Sequence, residues 1–572
     1  MPDSDTITSM GVRRLGAVAL AARLPVRGPA CLAVRRPAPI PVRWAAALAA
    51  AVLMVAGCTT TTGHSNTTPA RQPNGRSTIH NGAGTAPFPA AENRLRGTWH
   101  WHIRRLGGPN AIQGFADRTS VLAGKSFGLY ISTTSASYRV QAFRMGWYHG
   151  AQARQVWRSR PIRGHQQARA RVRRGTRMVT APWRRSLTVS TAGWPQGAYL
   201  LRLDAAGGTQ RYVPITVRSP STAGKVVLLL GVTTWQAYNL WGGYSLYSGP
   251  GGVGDRAYAV SFDRPYLGNG ANLFLSFDQP PIALAEHTPG VPLAYETDVD
   301  LAEHPGLLRG ARAVISLGHD EYYSGAMRHA LLRARDAGTN LAFLGANAMY
   351  RHIRFASSGF GRDRVQICYK NATIDPKYRH NKAATTQNWR DPPDPRPESV
   401  ITGVFYECNP VNAAYVVFDP KSWIFAGTHV HRGTSFRGLV GPEYDRVNLA
   451  VPFPRPLTVL AHSRLTCDGK RTFSDSAYYT VPSGAGVFAS GTMRWVCAMR
   501  VPHCLHGVNR AARAFVDRAT QNLLRAFAVG PAGRRHPARG NLAVVRLARG
   551  HATRGPEVAR RADLAGSARG FR

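Results

Sequence analysis

The sequence predicts a doubly wound, Rossmann-like α/β domain over residues 225–530, preceded by an all-β sandwich over residues 87–219. Three observations carry this. Val226-Val-Leu-Leu-Leu230 and Ala313-Val-Ile-Ser-Leu317 are continuous apolar runs, the pattern of strands buried on both faces of a parallel sheet. A helical stretch follows the second run and leads into Leu341-Ala-Phe-Leu344, which makes a βαβ unit with a right-handed crossover. Upstream, Phe127, Leu129 and Ile131, then Tyr138, Val140 and Ala142, alternate with small or polar residues, the period of half-buried strands.

In chain order, residues 1–57 read as a signal peptide. Arg35, Arg36 and Arg43 precede an apolar core from Trp44 to Gly57 that is too short to span a bilayer. Val55-Ala56-Gly57-Cys58 resembles a bacterial lipobox, which implies cleavage before Cys58 and a lipid anchor on its sulfur. The body is then expected outside the cytoplasm, lipid-anchored to the cell membrane or secreted; an uncleaved anchor would place it there too. Residues 59–86 are polar and rich in Thr, Gly, Asn and Pro, the composition of a flexible tether. In the sandwich, the turn Trp194-Pro-Gln-Gly197 precedes a strand through Leu203, and Tyr212–Val217 closes the region. In the α/β domain, Ser324 caps a helix whose apolar stripe is Met327, Ala330, Leu331 and Ala334, and Gly338 ends it. A later helix near 509–529 turns Phe515, Val516, Ala519, Leu523 and Phe527 inward. The stretch Pro376–Pro397 reads as a surface loop, and residues 531–572 as a basic, disordered tail.

The net charge of +43 is unevenly spread. Residues 225–530 hold 23 acids against 32 Lys and Arg, residues 1–224 only 5 against 31. Only 7 of the 73 bases are Lys, as a GC-rich coding sequence would give. No groove-reading helix or aromatic-studded basic sheet is evident, which argues against a nucleic-acid partner. Among the cysteines, Cys497 and Cys504 are near enough to pair; Cys368 with Cys408 is a second option that leaves Cys467 over, and sequence does not fix the connectivity. The lack of any CxxC pair argues against a structural zinc site.

The chemistry concentrates in Gly318-His-Asp-Glu-Tyr-Tyr-Ser324, a turn between a buried strand and a helix, at the sheet edge where open α/β proteins bind ligands. A His and a carboxylate two residues apart there can supply a proton-transfer group and a metal ligand. The first βα turn, Thr233-Thr-Trp-Gln-Ala-Tyr-Asn239 followed by Leu240-Trp-Gly-Gly-Tyr-Ser-Leu-Tyr247, lacks GxGxxG and the Walker lysine, so nucleotide phosphates are not its ligand. Gly345-Ala-Asn347 and Gly441-Pro-Glu-Tyr-Asp445 are further polar turns. No GxSxG occurs within residues 225–530, and no HExxH is present. Glutamine amidotransferases share the expected topology but need a Cys where this chain has Gly318-His319-Asp320. What remains is His, Asp, Glu, Asn and Tyr, and their oxygen donors suit a hard, highly charged cation that activates water.

Thr-Trp-Gln-Ala-Tyr-Asn239, the Gly318–Ser324 turn, Asn340-Leu-Ala-Phe-Leu-Gly-Ala-Asn347 and Gly491-Thr-Met-Arg-Trp495, in this order, resemble the C-terminal domain of the N,N-dimethylformamidase large subunit, over about 225–530. The resemblance implies hydrolysis of a small amide at a mononuclear Fe(3+) held by two tyrosines and one glutamate. By motif, Glu321 and Tyr238 are ligands and Tyr258 is the second tyrosine, with Tyr247 and Tyr266 as competitors. His319 is the acid/base or water-orienting group, and Asn347 and Glu443 line the pocket. The partners implied are a small amide and, through the anchor, the membrane; a homo-oligomer is compatible, and no equivalent of the family's small subunit is evident. Two other readings stay open. One is a non-catalytic cell-envelope binding lipoprotein that retains the fold; the other is a polysaccharide-processing enzyme, which needs a carboxylate pair about 5–10 Å apart.

Overall fold

A computed structural model describes residues 88–500 and 502–545. The expected signal peptide, the lipidation site Cys58, the tether 59–86 and the tail beyond residue 545 lie outside the described residues. Among the described residues no helix is long and apolar enough to cross a membrane.

The N-terminal region forms two sheets, compatible with the expected sandwich. Ile112–Ala116, Ser126–Thr133 and Leu187–Ser190 make one. The other runs Ser120–Leu122, Gln210–Arg218, Gly197–Ala205, Ser137–Met145 and Ala153–Arg158, with Ile162–Arg163 alongside. Alternation decides where each side chain goes. Tyr199, Leu201 and Leu203 point into the sandwich core with Leu129, Ile131 and Val140. Ala198 and Leu200 point the other way, into the main core with Val226 and Leu228. The central strand Gly197–Ala205 is therefore buried on both faces.

The main sheet has seven strands in the order Leu293–Thr297, Val226–Leu230, Ala313–Ser316, Asn340–Phe343, Gly486–Ala489, Lys470–Thr480, Leu457–Cys467. The first five are parallel, and the last two pair antiparallel. Val226, Leu228 and Leu230 pack toward the helix Arg510–Val529, through Phe515, Val516 and Leu523. Val227 and Leu229 pack toward the helix Gly325–Asp336, through Met327 and Leu331. Both helices start where expected: Ser324 Oγ accepts the Met327 N–H, and Asn509 caps the second.

The doubly wound expectation is corrected. Among the described residues 33% are in strands and 22% in helices, and the strands fall into seven sheets, of which the seven-stranded one is mixed. A continuous apolar run reports burial of both strand faces and is silent on how successive strands are connected. Between Phe343 and Gly486, where a doubly wound sheet needs a helical crossover, this chain has small antiparallel sheets. Arg351–Ser358 pairs with Gly361–Ile367, and Ala413–Val416 pairs with Ser435–Val440. The long hairpin Leu457–Cys467/Lys470–Thr480 then closes one edge of the main sheet.

Smaller features also differ. Cys408 pairs with Cys467 and Cys497 with Cys504, so among the described residues Cys368 is the free thiol, buried, and does not bond Cys408. The stretch 376–397 is not all surface: Trp389 is buried and stacks on His352 at 3.7 Å. Past the long helix, Arg539 and Asn541 bond the backbone and Thr458 hydroxyl of the edge strand, so residues 531–545 are tied to the sheet.

One buried ion pair joins the two regions. Arg144, from the larger N-terminal sheet, meets Glu286 on the helix Gln279–His287, both side chains at 0% exposure. Tyr295 donates to the same carboxylate at 2.6 Å. Glu286→Ala leaves a buried guanidinium without its counter-charge, and an expected loss of about 3–5 kcal/mol follows. It should appear as a lower denaturant midpoint at unchanged m-value. Replacing both partners, Arg144→Met with Glu286→Leu, should recover most of that loss; a single variant as stable as the parent would remove the pair from the stability account.

Candidate functional site

The strand Ala313–Ser316 ends at Gly318, and Asn340–Phe343 ends at Gly345. These turns touch: a Cβ on Gly345 would lie 2.0 Å from the Gly318 carbonyl oxygen, so only glycine lets the backbones approach this closely. Contact between the turns brings the His319 and Asn347 segments to one sheet edge. Asn347 adopts φ +60, and its N–H donates to Asp445 Oδ1 at 2.8 Å. The turns at 318, 345 and 445 are thus joined by backbone contact and hydrogen bonding.

Glu321 is the centre of the site, at 1% exposure. Tyr238, the last residue of the helix Val232–Tyr238, donates to Glu321 Oε2 at 2.9 Å. Tyr247 lies 2.7 Å from both carboxylate oxygens. The two phenol rings stack at 4.2 Å. Arg351 Nε stands 3.3 Å from Glu321 Oε1, and His319 Nε2 stands 3.5 Å from Oε2. Burial alone would raise the Glu321 carboxyl, but His319, Arg351 and Lys370 overcome it and hold it at about 2. Burial and the Glu321 charge push both phenols well above their ordinary value, so without a cation they stay protonated and donate. Burial opposes charge on His319, yet Glu321 and Glu443 raise it above its usual value.

Glu443 completes the cluster. Its Oε2 is 3.9 Å from His319 Nε2, and its Oε1 accepts from Asn409 at 3.4 Å. Among the described residues neither ring nitrogen of His319 makes a hydrogen bond, and the buried Asn347 Oδ1 also lacks one. Such orphaned polar atoms around an acidic centre mark space for a polar ligand. The structure therefore gathers Tyr238, Glu321, His319 and Glu443 into one cluster and joins Asn347 to it through the Asp445 turn.

Tyr258, expected as the second tyrosine, is elsewhere. It stacks on Tyr369 at 5.0 Å and makes no contact with Glu321 among the described residues. Tyr266 packs edge-on against Trp235. Tyr247 takes the position beside Glu321. The loop between Tyr238 and Tyr247 is fixed by Arg264, which donates to the carbonyls of Asn239, Trp241 and Tyr244 at 2.8–3.0 Å. Trp241 Nε1 ties the same loop to Gln113 of the N-terminal region at 2.6 Å. That tertiary clamp sets which tyrosine points inward, and sequence spacing does not contain it. Arg351 and Lys370 were also missed: their only signal is proximity in sequence to Asn347 and Cys368.

Two phenols and a carboxylate with oxygens 2.7–2.9 Å apart are a donor set for a hard cation. Ionised, the three would carry the charge that a trivalent ion balances. The residues present thus fit such a metal.

Residues 139–509 match the family described as N,N-dimethylformamidase beta subunit-like, C-terminal. The match begins within the N-terminal sheets, upstream of the 225–530 span that the motifs suggested. No curated protein matches the chain. Among solved structures, a Paenibacillus sp. cycloisomaltooligosaccharide glucanotransferase complexed with cycloisomaltoheptaose is similar at 12% identity over 22% of this chain and 17% of its own, with a TM-score of 0.13. That likeness carries no argument.

Burial raises the Asp445 carboxyl to about 7, with Glu443 adding to the rise. The folded protein therefore keeps a proton that the unfolded chain releases. Stability from this group is full below about pH 4 and is lost as pH climbs toward 7. Asp445→Asn should flatten that part of the stability–pH curve in denaturant titrations, while wild type and variant converge in acid; parallel curves would show that Asp445 titrates normally.

Proposed function

The chain belongs to the N,N-dimethylformamidase beta subunit-like family, and on that premise we propose that it is a metal-dependent amidohydrolase cleaving a C–N amide bond. The observation that carries the reading is the convergence of Tyr238 and Tyr247 on Glu321, with His319 and Glu443 alongside.

Tyr238, Tyr247 and Glu321 would hold a ferric ion. Bound there, it supplies Lewis acidity toward a carbonyl and acidifies water. The chain's own residues manage the protons and the geometry. His319 Nε2, between the carboxylates of Glu321 and Glu443, accepts a proton from the attacking water and returns it to the departing amine nitrogen as the C–N bond breaks. Glu443 supports the charged imidazolium through that transfer. The Asn347 amide, its oxygen without a protein partner, orients the water or the substrate amide. Arg351 keeps Glu321 ionised and in place.

Tyr247→Phe and Glu321→Gln are expected to abolish bound iron, its phenolate charge-transfer colour and amide hydrolysis together. Tyr258→Phe should keep all three. His319→Asn should keep iron and colour but lower kcat by roughly 10²–10⁴-fold. Iron analysis, visible absorption and turnover of formamides on protein from iron-replete cells check these outcomes; active, iron-free protein would overturn the metal, and a coloured protein inert toward every amide tried would overturn the hydrolase.

A further inference from the structure

We propose that the amide taken by this site carries a negative charge, a carboxylate or a phosphate, held at the rim by Lys370 and Arg256. The inference rests on the hydrolase reading above and names its substrate class.

The Lys370 ammonium lies 3.1 Å from the centre of the Tyr247 ring and 5.7 Å from that of Tyr322. Tyr238 stacks on Tyr247, so Lys370 takes the other face of the ring. Lys370 is held there with φ +55, a conformation uncommon for a side chain-bearing residue. Next to it, Tyr369 stacks on Tyr258. The Arg177 and Arg256 guanidiniums each lie 5.6 Å from the Tyr258 ring, and that of Arg354 lies 5.7 Å from Tyr369. Arg177 and Arg354 are already matched, by Asp255 at 3.0 Å and Asp375 at 2.6 Å. Among the described residues Arg256 has no carboxylate partner: it donates to the Tyr369 carbonyl at 2.9 Å, and its buried Nε makes no hydrogen bond. Lys370, Arg256, Tyr258 and Tyr369 are all half-buried, as groups at the lip of a site should be.

The charge continues outward. Between Asp117 and Asp204 the chain has no acidic residue, but fifteen Arg and one Lys. Base composition alone would not stop there, yet residues 225–530 hold 23 acids. The hairpin Arg171–Arg173/Met178–Thr180 of this stretch ends on the rim, where the Thr176 carbonyl accepts the Tyr258 N–H at 2.8 Å. Arg171, Arg173 and Arg174 on it, and Arg169 just before it, are exposed. A one-signed strip leading to a lip raises the local concentration of anions, and a Lys and an Arg at its end can grip one by charge-assisted hydrogen bonds. A neutral dialkylamide would use neither.

N-formylglycine and N-formylglycinamide share one scissile bond and differ in charge. Wild type should cleave the anion with kcat/KM ~10-fold higher or more at low salt. The advantage should shrink as ionic strength rises, and Lys370→Met should bring the ratio near one. Arg256→Gln should lower the same ratio, and gives the answer if Lys370→Met does not fold. Calorimetric binding of N-acetylglycine against N-acetylglycinamide reads the preference without turnover. Equal affinities, or a ratio unmoved by both variants, overturn the inference even where both formamides are cleaved. Preferred binding of the anion by a protein that cleaves neither supports the anion site and overturns the hydrolase reading instead. Tighter binding of N-acetylaminomethylphosphonate than of N-acetylglycine assigns the anion as a phosphate, and weaker binding as a carboxylate.

Discussion

A carboxylate at 1% exposure must be surrounded by donors and positive charge, and the geometry around Glu321 follows from that requirement. A helix end supplies Tyr238, a loop supplies Tyr247, a strand supplies Arg351 and the turn itself supplies His319. Each comes from a different element, so each element must be placed to within a hydrogen bond. The surplus of donors keeps Glu321 charged, and its charge in turn keeps the phenols protonated. Under the proposed function, a cation would take the place of those protons.

The N-terminal sheets are part of this arrangement rather than an appendage. One face of the larger sheet is core to the main body, and Arg144–Glu286 locks the two together away from water. Gln113 holds Trp241, in the loop that presents Tyr247, and the Arg171–Thr180 hairpin meets Tyr258 at the rim. A family match that begins at residue 139 is consistent with this interdependence. The same contact gives the basic stretch a place to act, because it brings a strip without acids to the lip of an acidic centre.

Local chemistry was legible where neighbours in sequence settle the outcome. Ser324 as a cap, the Met327–Ala334 stripe, the inward face of the 510–529 helix and the apolar strands all follow from period and capping. The His319–Glu321 turn was legible as a site because strand, glycine and helix signals bracket it. The doubly wound fold was not, because apolar runs record burial and do not record connectivity: the stretch from Phe343 to Gly486 is made of hairpins and small sheets, some of whose pairings join residues far apart in the chain, as Ala259–Ser261 pairs with Val365–Ile367 and Phe405 with Arg446. The Cys408–Cys467 pair spans 59 residues for the same reason.

By itself, then, the sequence determined which residue types could do chemistry and at which turns: a His and a Glu two apart, aromatic loops near them, and an uneven charge. Only the tertiary structure decided that Tyr247 and not Tyr258 faces Glu321, that Arg351 and Lys370 stand beside them, and that the basic hairpin ends at the rim. The reason is physical. A side chain's type and its local turn are fixed by covalent neighbours. Its partner is fixed by clamps such as Arg264 on the 239–244 carbonyls, which act through space and leave no period in the sequence.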